Sequence, residues 1–155
     1  MDRFRERLNL YPILGLDTSV FIYHLEENSI YLSIVQELFS GIEAGEWEAV
    51  TSTITLMEIS VRPFQLEQAE VARSYEALLS NFPHLRIADI DRDVARKAAS
   101  LRAKFAVRPA DALQVAACLV HGAMAFVSND RKLERLRSEI EIIILNRWIS
   151  SSKRI

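Results

Sequence analysis

Five short apolar runs alternate along this chain with longer stretches whose apolar residues recur at helical spacing. Short runs suit strands, and strands separated by helical segments predict βαβ units and a parallel sheet. The predicted strands are residues 13–17, 47–52, 85–90, 123–127 and 140–145. Thr18 or Ser19 is placed to cap a short helix carrying Val20, Phe21 and Leu25. A helix over 30–44 puts Ile34, Val35, Leu38, Phe39 and Ile42 on one face, and Gly45 ends it. Ser52 or Thr53 caps the next helix, which Pro63 is expected to stop. The longest predicted helix, 66–82, runs to Pro83. Asp91 caps another, with Val94, Ala98, Leu101 and Phe105 inward. Pro109 opens a helix over 109–121 that Gly122 closes, and a short helix covers 131–136. The first ten residues, charged and amphipathic at best, read as a short extension or loose first helix.

Four carboxylates break this apolar pattern. Asp17 ends the run 11–16, Glu58 interrupts ITLMEISV, Asp111 opens an alanine- and leucine-rich helix, and Asp130 follows the run 123–127. An anion among apolar groups is costly unless paired or neutralised, and like charges raise one another's pKa. No lysine or arginine stands inside these runs, so a divalent cation is the natural compensating partner. In an open parallel sheet ligands bind beyond the carboxyl ends of the strands, where strand order reverses. Asp17 and Asp130 fall just past strand ends, Asp111 in a helix's first turn, and Glu58 about one and a half turns into its helix. All four can reach one rim. Mg²⁺ and Mn²⁺ accept such hard oxygen ligands, and a cation so held suits phosphoryl transfer or hydrolysis.

Each acid also has a plain structural reading. Asp111 complements a helix dipole, Asp130 suits a turn or cap, and Asp17 suits an N-cap. Glu58, between Met57 and Ile59, has no local capping role. Ser19, Ser128 and Asn129 flank the acids and can orient a water or a carboxylate. Arg62 follows Glu58 by one turn, Arg108 precedes Asp111, and Arg131, Lys132, Arg135 and Arg137 follow Asp130. Most of that charge run reads as a solvated face, with Arg62, Arg108 and Arg131 the candidates for holding a phosphate backbone.

Other chemistries lack their residues. His24, His84 and His121 have no zinc-site spacing, and Asp89, Asp91 and Asp93 lack the glycine and distal glutamate of a calcium loop. No glycine-rich phosphate loop and no GxSxG elbow is present. A net charge of −2 announces no global nucleic-acid field, so any such binding must be local or metal-mediated. The lone Cys118, in VAACLV, reads as a core residue and excludes an internal disulfide. With no leader segment recognised, the cytoplasm is the expected location. No apolar run approaches the roughly 20 residues that span a bilayer.

LDTSVFIY, TLMEIS, RPADALQVAACLVHGA and AFVSNDRKLERL together resemble the PIN domain, and within it the VapC-like ribonuclease toxins of prokaryotic toxin–antitoxin pairs. The likeness runs over about residues 12–148 of one domain, leaving 1–10 as an extension and 149–155 as a tail. It implies a Rossmann-like three-layer α/β/α sandwich around a five-stranded parallel sheet. It also implies endonucleolytic cleavage of RNA by metal-activated water, with Asp17, Glu58, Asp111 and Asp130 as the Mg²⁺- or Mn²⁺-binding catalytic set. Ser128 and Asn129 become flanking helpers. Homodimers are common in that family, and a small antitoxin would silence a toxin by covering its acidic groove with a tail. Two features depart from the pattern: about a dozen residues precede the first strand, and serine stands at 128 where threonine is frequent. A binding module for nucleic acid or protein that keeps the fold without turnover is the alternative. A haloacid-type phosphatase would need an aspartate where Ser19 stands.

Overall fold

The computed structural model describes residues 2–150. Five parallel strands form one sheet: β1 (Ile13–Leu16), β2 (Glu48–Ser52), β3 (Leu85–Ala88), β4 (Ala125–Ser128) and β5 (Glu141–Ile144). Their spatial order is β3-β2-β1-β4-β5. The chain leaves β1 to build one half of the sheet and then returns to β1's other side with β4. The strand order therefore reverses between β1 and β4, which pair through Leu14–Ala125, Gly15–Phe126 and Leu16–Val127.

Seven α-helices occur among the described residues, α1 (Asp2–Leu8) ahead of the first strand and six between strands: α2 (Thr18–Leu25), α3 (Leu32–Glu43), α4 (Thr53–Gln65), α5 (Ala69–Ser80), α6 (Arg92–Phe105) and α7 (Pro109–Val120). They cover both faces of the sheet, because alternate strand residues point to opposite sides. Val127 and Ile143 join the core under α1, α2 and α3, whereas Phe126, Ile142 and Ile144 join the core under α6 and α7. The second layer comes unusually close at Gly15. A Cβ there would lie 2.8 Å from the Phe126 ring and 2.9 Å from Cys118 Cβ, so glycine is what lets α7 settle on β1. Cys118 itself is fully buried, as expected of a core residue.

Several boundaries differ from the sequence reading, each for a local reason. Of the two expectations for the N-terminus, an extension or a loose first helix, residues 2–8 form the helix, seated rather than loose. Phe4 and Leu8 are buried, and the Phe4 ring lies 5.8 Å from that of Trp148. Arg5 pairs with Glu37 and Glu46, and Arg7 with Glu141 at 2.7 Å, so the N-terminal charges fasten the helix down. Pro63 does not stop α4. It is buried within the last turn, which still closes through Leu66 N–H to Arg62 C=O at 3.1 Å. The break falls instead at Glu67, in the left-handed region at φ 55°, so the expected helix over 66–82 begins at Ala69. The longest helix is α6. Asp17, not Thr18 or Ser19, caps α2, while Ser52 and Asp91 cap α4 and α6 as expected. Arg131–Leu136 is a 3₁₀ helix. The core extends to Ile149, the first residue of the expected tail; residues 151–155 of that tail lie outside the described residues.

Candidate functional site

Asp17 follows β1 and Asp130 follows β4, on either side of the point where strand order reverses. Asp111 stands in the first turn of α7 and Glu58 on α4. The four carboxylates line one open cleft of about 340 Å³, together with Thr18, Ser19, Ile22, Tyr23, Arg108 and Asn129. No histidine or cysteine is among these lining residues, so the available donors are hard oxygens.

Asp17 is the innermost acid. Its Oδ1 accepts from the Thr18 N–H at 2.9 Å and its Oδ2 from the Ser128 hydroxyl at 2.6 Å. Burial nevertheless pushes its pKa up to about 6, and the charges of Asp111 and Glu58 act in the same direction. The hydroxyl of Ser128 also accepts from the Asp130 N–H at 3.0 Å, tying the two strand-end acids together. Asp130 caps the 3₁₀ helix through the Lys132 N–H at 2.9 Å.

Glu58 corrects the expectation that this residue lies in the core. It is exposed, as are Met57 and Val61, so the run ITLMEISV covers a helix with one open apolar face. Its Oε1 accepts from the Thr18 hydroxyl at 2.7 Å. Asp111, with 21% of its side chain exposed, accepts from Arg108 Nε at 2.9 Å. The guanidinium of Arg108 also approaches Asp130 at 4.0 Å. These attachments turn each acid toward an internal donor. Among the described residues no three carboxylate, histidine or cysteine side chains are gathered as a ready-made metal cage.

The flanking residues divide. Ser128 holds Asp17, as described. Asn129 serves a different end: its amide donates to the Tyr23 hydroxyl at 3.0 Å and its carbonyl accepts from Asn146 N–H at 2.9 Å. It locks α2 to the segment after β5 rather than touching an acid. Ser19 Oγ is buried at the cleft with no hydrogen-bond partner. Of the three arginines, only Arg108 lines the acid cleft. Arg62 lines an adjoining groove with Glu58, Leu25, Pro63, Leu66 and Tyr75, and Arg131 is exposed on the 3₁₀ helix.

Thr18, expected only as a possible helix cap, and Gln114 were not anticipated at the site. Both are buried, and Gln114 interrupts the apolar helix DALQVAACLV. A lone amide among alanines and valines was the available signal.

The fold resembles several solved structures. A toxin–antitoxin complex from Klebsiella pneumoniae matches with a TM-score of 0.62 at 17% identity, covering 86% of this chain and 97% of that one. VapBC from Salmonella typhimurium, solved bound to DNA, matches with a TM-score of 0.61 at 24% identity over the same shares. FitAcB from Neisseria gonorrhoeae gives 0.63 at 22%, again covering 86% and 97%. At these identities the likeness is one of fold. No curated protein matches the chain. The family model of the PIN domain matches residues 15–139. The chain belongs to the PIN domain family.

Proposed function

We propose that this protein is a Mg²⁺- or Mn²⁺-dependent endoribonuclease, the toxin of a type II toxin–antitoxin pair. The observation that carries the reading is the convergence of Asp17, Glu58, Asp111 and Asp130, from four separate elements, on one cleft at the switch point of the sheet. Among the described residues only Arg108, 74% exposed, is paired with any of them. Family membership supports a nuclease. The resemblance to structures of toxin–antitoxin complexes supports the cellular role.

The residues present fit a divalent cation. The donors are carboxylate oxygens, the innermost acid is buried without a countercharge of its own, and the orphaned Ser19 hydroxyl needs a polar occupant of the cleft. Asp17, Glu58, Asp111 and Asp130 would hold the ion. When bound, a divalent cation activates water and offsets the charge that builds on a phosphate oxygen during in-line attack. The chain's own residues do the rest. Ser128 and the Thr18 N–H fix the Asp17 carboxylate, and the Thr18 hydroxyl fixes Glu58. Arg108 is free on its solvent side to take up a substrate phosphate, and Arg131, exposed and next in sequence to Asp130, is the second candidate. Single-stranded RNA loops are the substrates that such an open cleft admits.

The apolar groove beside Glu58 and the exposed Met57, Val61 and Phe64 of α4 are surfaces a soluble protein covers. They support a cognate antitoxin segment lying across the groove and a homodimer as the working state. Among the described residues no helix is long and apolar enough to cross a membrane, and the proposed location is the cytoplasm. The test is incubation of the pure protein with structured RNAs and Mn²⁺ beside Asp17→Asn. Cleavage by the wild type alone is expected. Equal cleavage by both rejects the site, and metal-independent binding without cleavage favours the non-catalytic module.

A further inference from the structure

Beneath the acid cleft lies a layer of buried polar side chains. Gln114 on α7, Thr51 and Ser52 on β2, Thr55 on α4 and Thr18 on α2 are each at most 5% exposed. Burying an amide and four hydroxyls in a core is costly unless their hydrogen bonds are satisfied. Here they are, and the donors run one way. The hydroxyl of Thr51 gives its proton to the Leu16 carbonyl at 2.9 Å, and that of Thr18 gives its proton to Glu58 at 2.7 Å. With both protons committed, Thr55 is the donor toward Thr51 at 2.7 Å and toward Thr18 at 3.2 Å, its one proton lying between the two. Thr55 in turn receives the Gln114 amide N–H at 2.6 Å. The remaining amide hydrogen faces Thr18 and Thr51 at 3.4 Å. On its other side Gln114 Oε1 accepts from Ser52, the residue that caps α4 by accepting from Ile54 N–H at 3.1 Å.

Gln114 thus joins three elements, each carrying one acid: α7 with Asp111, α4 with Glu58, and the β1–α2 turn with Asp17. We infer that Gln114 is a positioning residue: its amide N–H groups, which can only donate, are aimed at the oxygens of Thr55 and Thr18 and so hold Thr18 in the arrangement in which it donates to the Glu58 carboxylate, and its carbonyl fixes the cap from which α4 presents Glu58. An apolar residue would pack α7 on the sheet with less demand, so the amide's use lies in this arrangement. The inference rests on the proposed metal-dependent function for its kinetic consequence, but not for its hydrogen-bond consequence.

The experiment compares wild type, Gln114→Met, Thr18→Val, Thr18→Ser and the Gln114→Met/Thr18→Val double variant. Mn²⁺ affinity is read by calorimetry, cleavage of an oligoribonucleotide by steady-state kinetics, and the Glu58 side-chain carboxyl resonance by NMR of the metal-free protein. Loss of a group that orients a metal ligand costs about 10- to 100-fold in affinity or activity. Gln114→Met and Thr18→Val are expected to weaken Mn²⁺ binding about tenfold and to lower kcat with little change in KM. Thr18→Ser, which keeps the hydroxyl, is expected to stay near wild type. The double variant should lose less than the two singles combined, because both act through one hydrogen bond. Wild-type Mn²⁺ affinity in folded Gln114→Met, or additive losses, overturns the inference. Should Gln114→Met fail to fold, equal Mn²⁺ affinities of Thr18→Val and Thr18→Ser overturn it. If the wild type neither binds Mn²⁺ nor cleaves RNA, the functional reading fails. The metal-free resonance then decides: a shift in both Gln114→Met and Thr18→Val sustains the inference, and an unmoved resonance in Gln114→Met defeats it.

Discussion

The two halves of the acid cleft hold their charge by different means. On the β1–α4 side, Asp17 and Glu58 are held by neutral donors, the hydroxyls of Ser128 and Thr18 and one backbone N–H. On the α7–β4 side, Asp111 and Asp130 share an exposed guanidinium. Neutral donors orient a carboxylate and leave its charge in place. A nearby cation cancels the charge, loosely where water screens it. The first half is therefore a rigid, uncompensated anion, the half suited to the outside cation proposed above. The second half carries a replaceable one.

The largest effect should come from the rigid half. Asp17→Asn removes the innermost charge while keeping the side chain's shape, and cleavage is expected to fall on the order of a thousandfold, a loss of several kcal/mol in transition-state stabilisation. A quantitative assay on one RNA substrate checks it. A loss no greater than that of Arg108→Ala would erase the distinction between the halves.

The same substitution should separate stability from activity. The folded-state pKa of Asp17, about 6, lies above its ordinary value of 3.8, so folding favours the protonated form. Its contribution is fully present below pH 3.8 and is lost as the pH rises through 6. Metal-free wild type is thus expected to lose about 2–3 kcal/mol relative to Asp17→Asn between pH 4 and pH 7. Urea unfolding at both pH values measures this, and a constant difference contradicts it. Saturating Mn²⁺ should narrow the gap at pH 7 by binding the ionised form.

Gly15→Ala probes the packing under the cleft. The new methyl would press on Phe126 and Cys118, with an expected cost of about 1–3 kcal/mol in stability. Mn²⁺ affinity should stay within about twofold if the acids depend on their hydroxyl donors. Arg108→Ala should show the smallest effect on the ion itself, a tightening of Mn²⁺ binding of about two- to fivefold as the screened pair is removed. KM for RNA should rise in the same variant, since a phosphate contact is lost. Weaker Mn²⁺ binding in Arg108→Ala would mean the arginine organises the acids rather than competing for them.

Much of this plan was legible in the chain. The strands were, because each is a short apolar run bounded by polar residues, and strand ends followed by Asp17 and Asp130 pointed to the rim. The helices were harder to bound. A continuous apolar stripe from Leu66 to Phe82 concealed the left-handed turn at Glu67, because a change of direction leaves no mark on periodicity. Pro63 was over-read, since a proline late in a helix forfeits one hydrogen bond while its ring can pack inward. Phe4 and Leu8 are one turn apart, but five charged residues among the first seven hid the pair, and those charges turned out to be fasteners. At the cleft, residue type exposed the acids, whereas partner choice depended on tertiary placement. Nothing in SND says that Ser128 binds Asp17 while Asn129 binds Tyr23.

Everything proposed here requires four acids from four elements to act on one ion. Titrating Mn²⁺ into isotopically labelled protein and following paramagnetic broadening of side-chain carboxyl resonances tests it directly. The resonances of Asp17, Glu58, Asp111 and Asp130 should broaden first and together, ahead of exposed acids such as Glu70. Broadening that begins elsewhere, or that reaches these four at unrelated concentrations, would contradict the account.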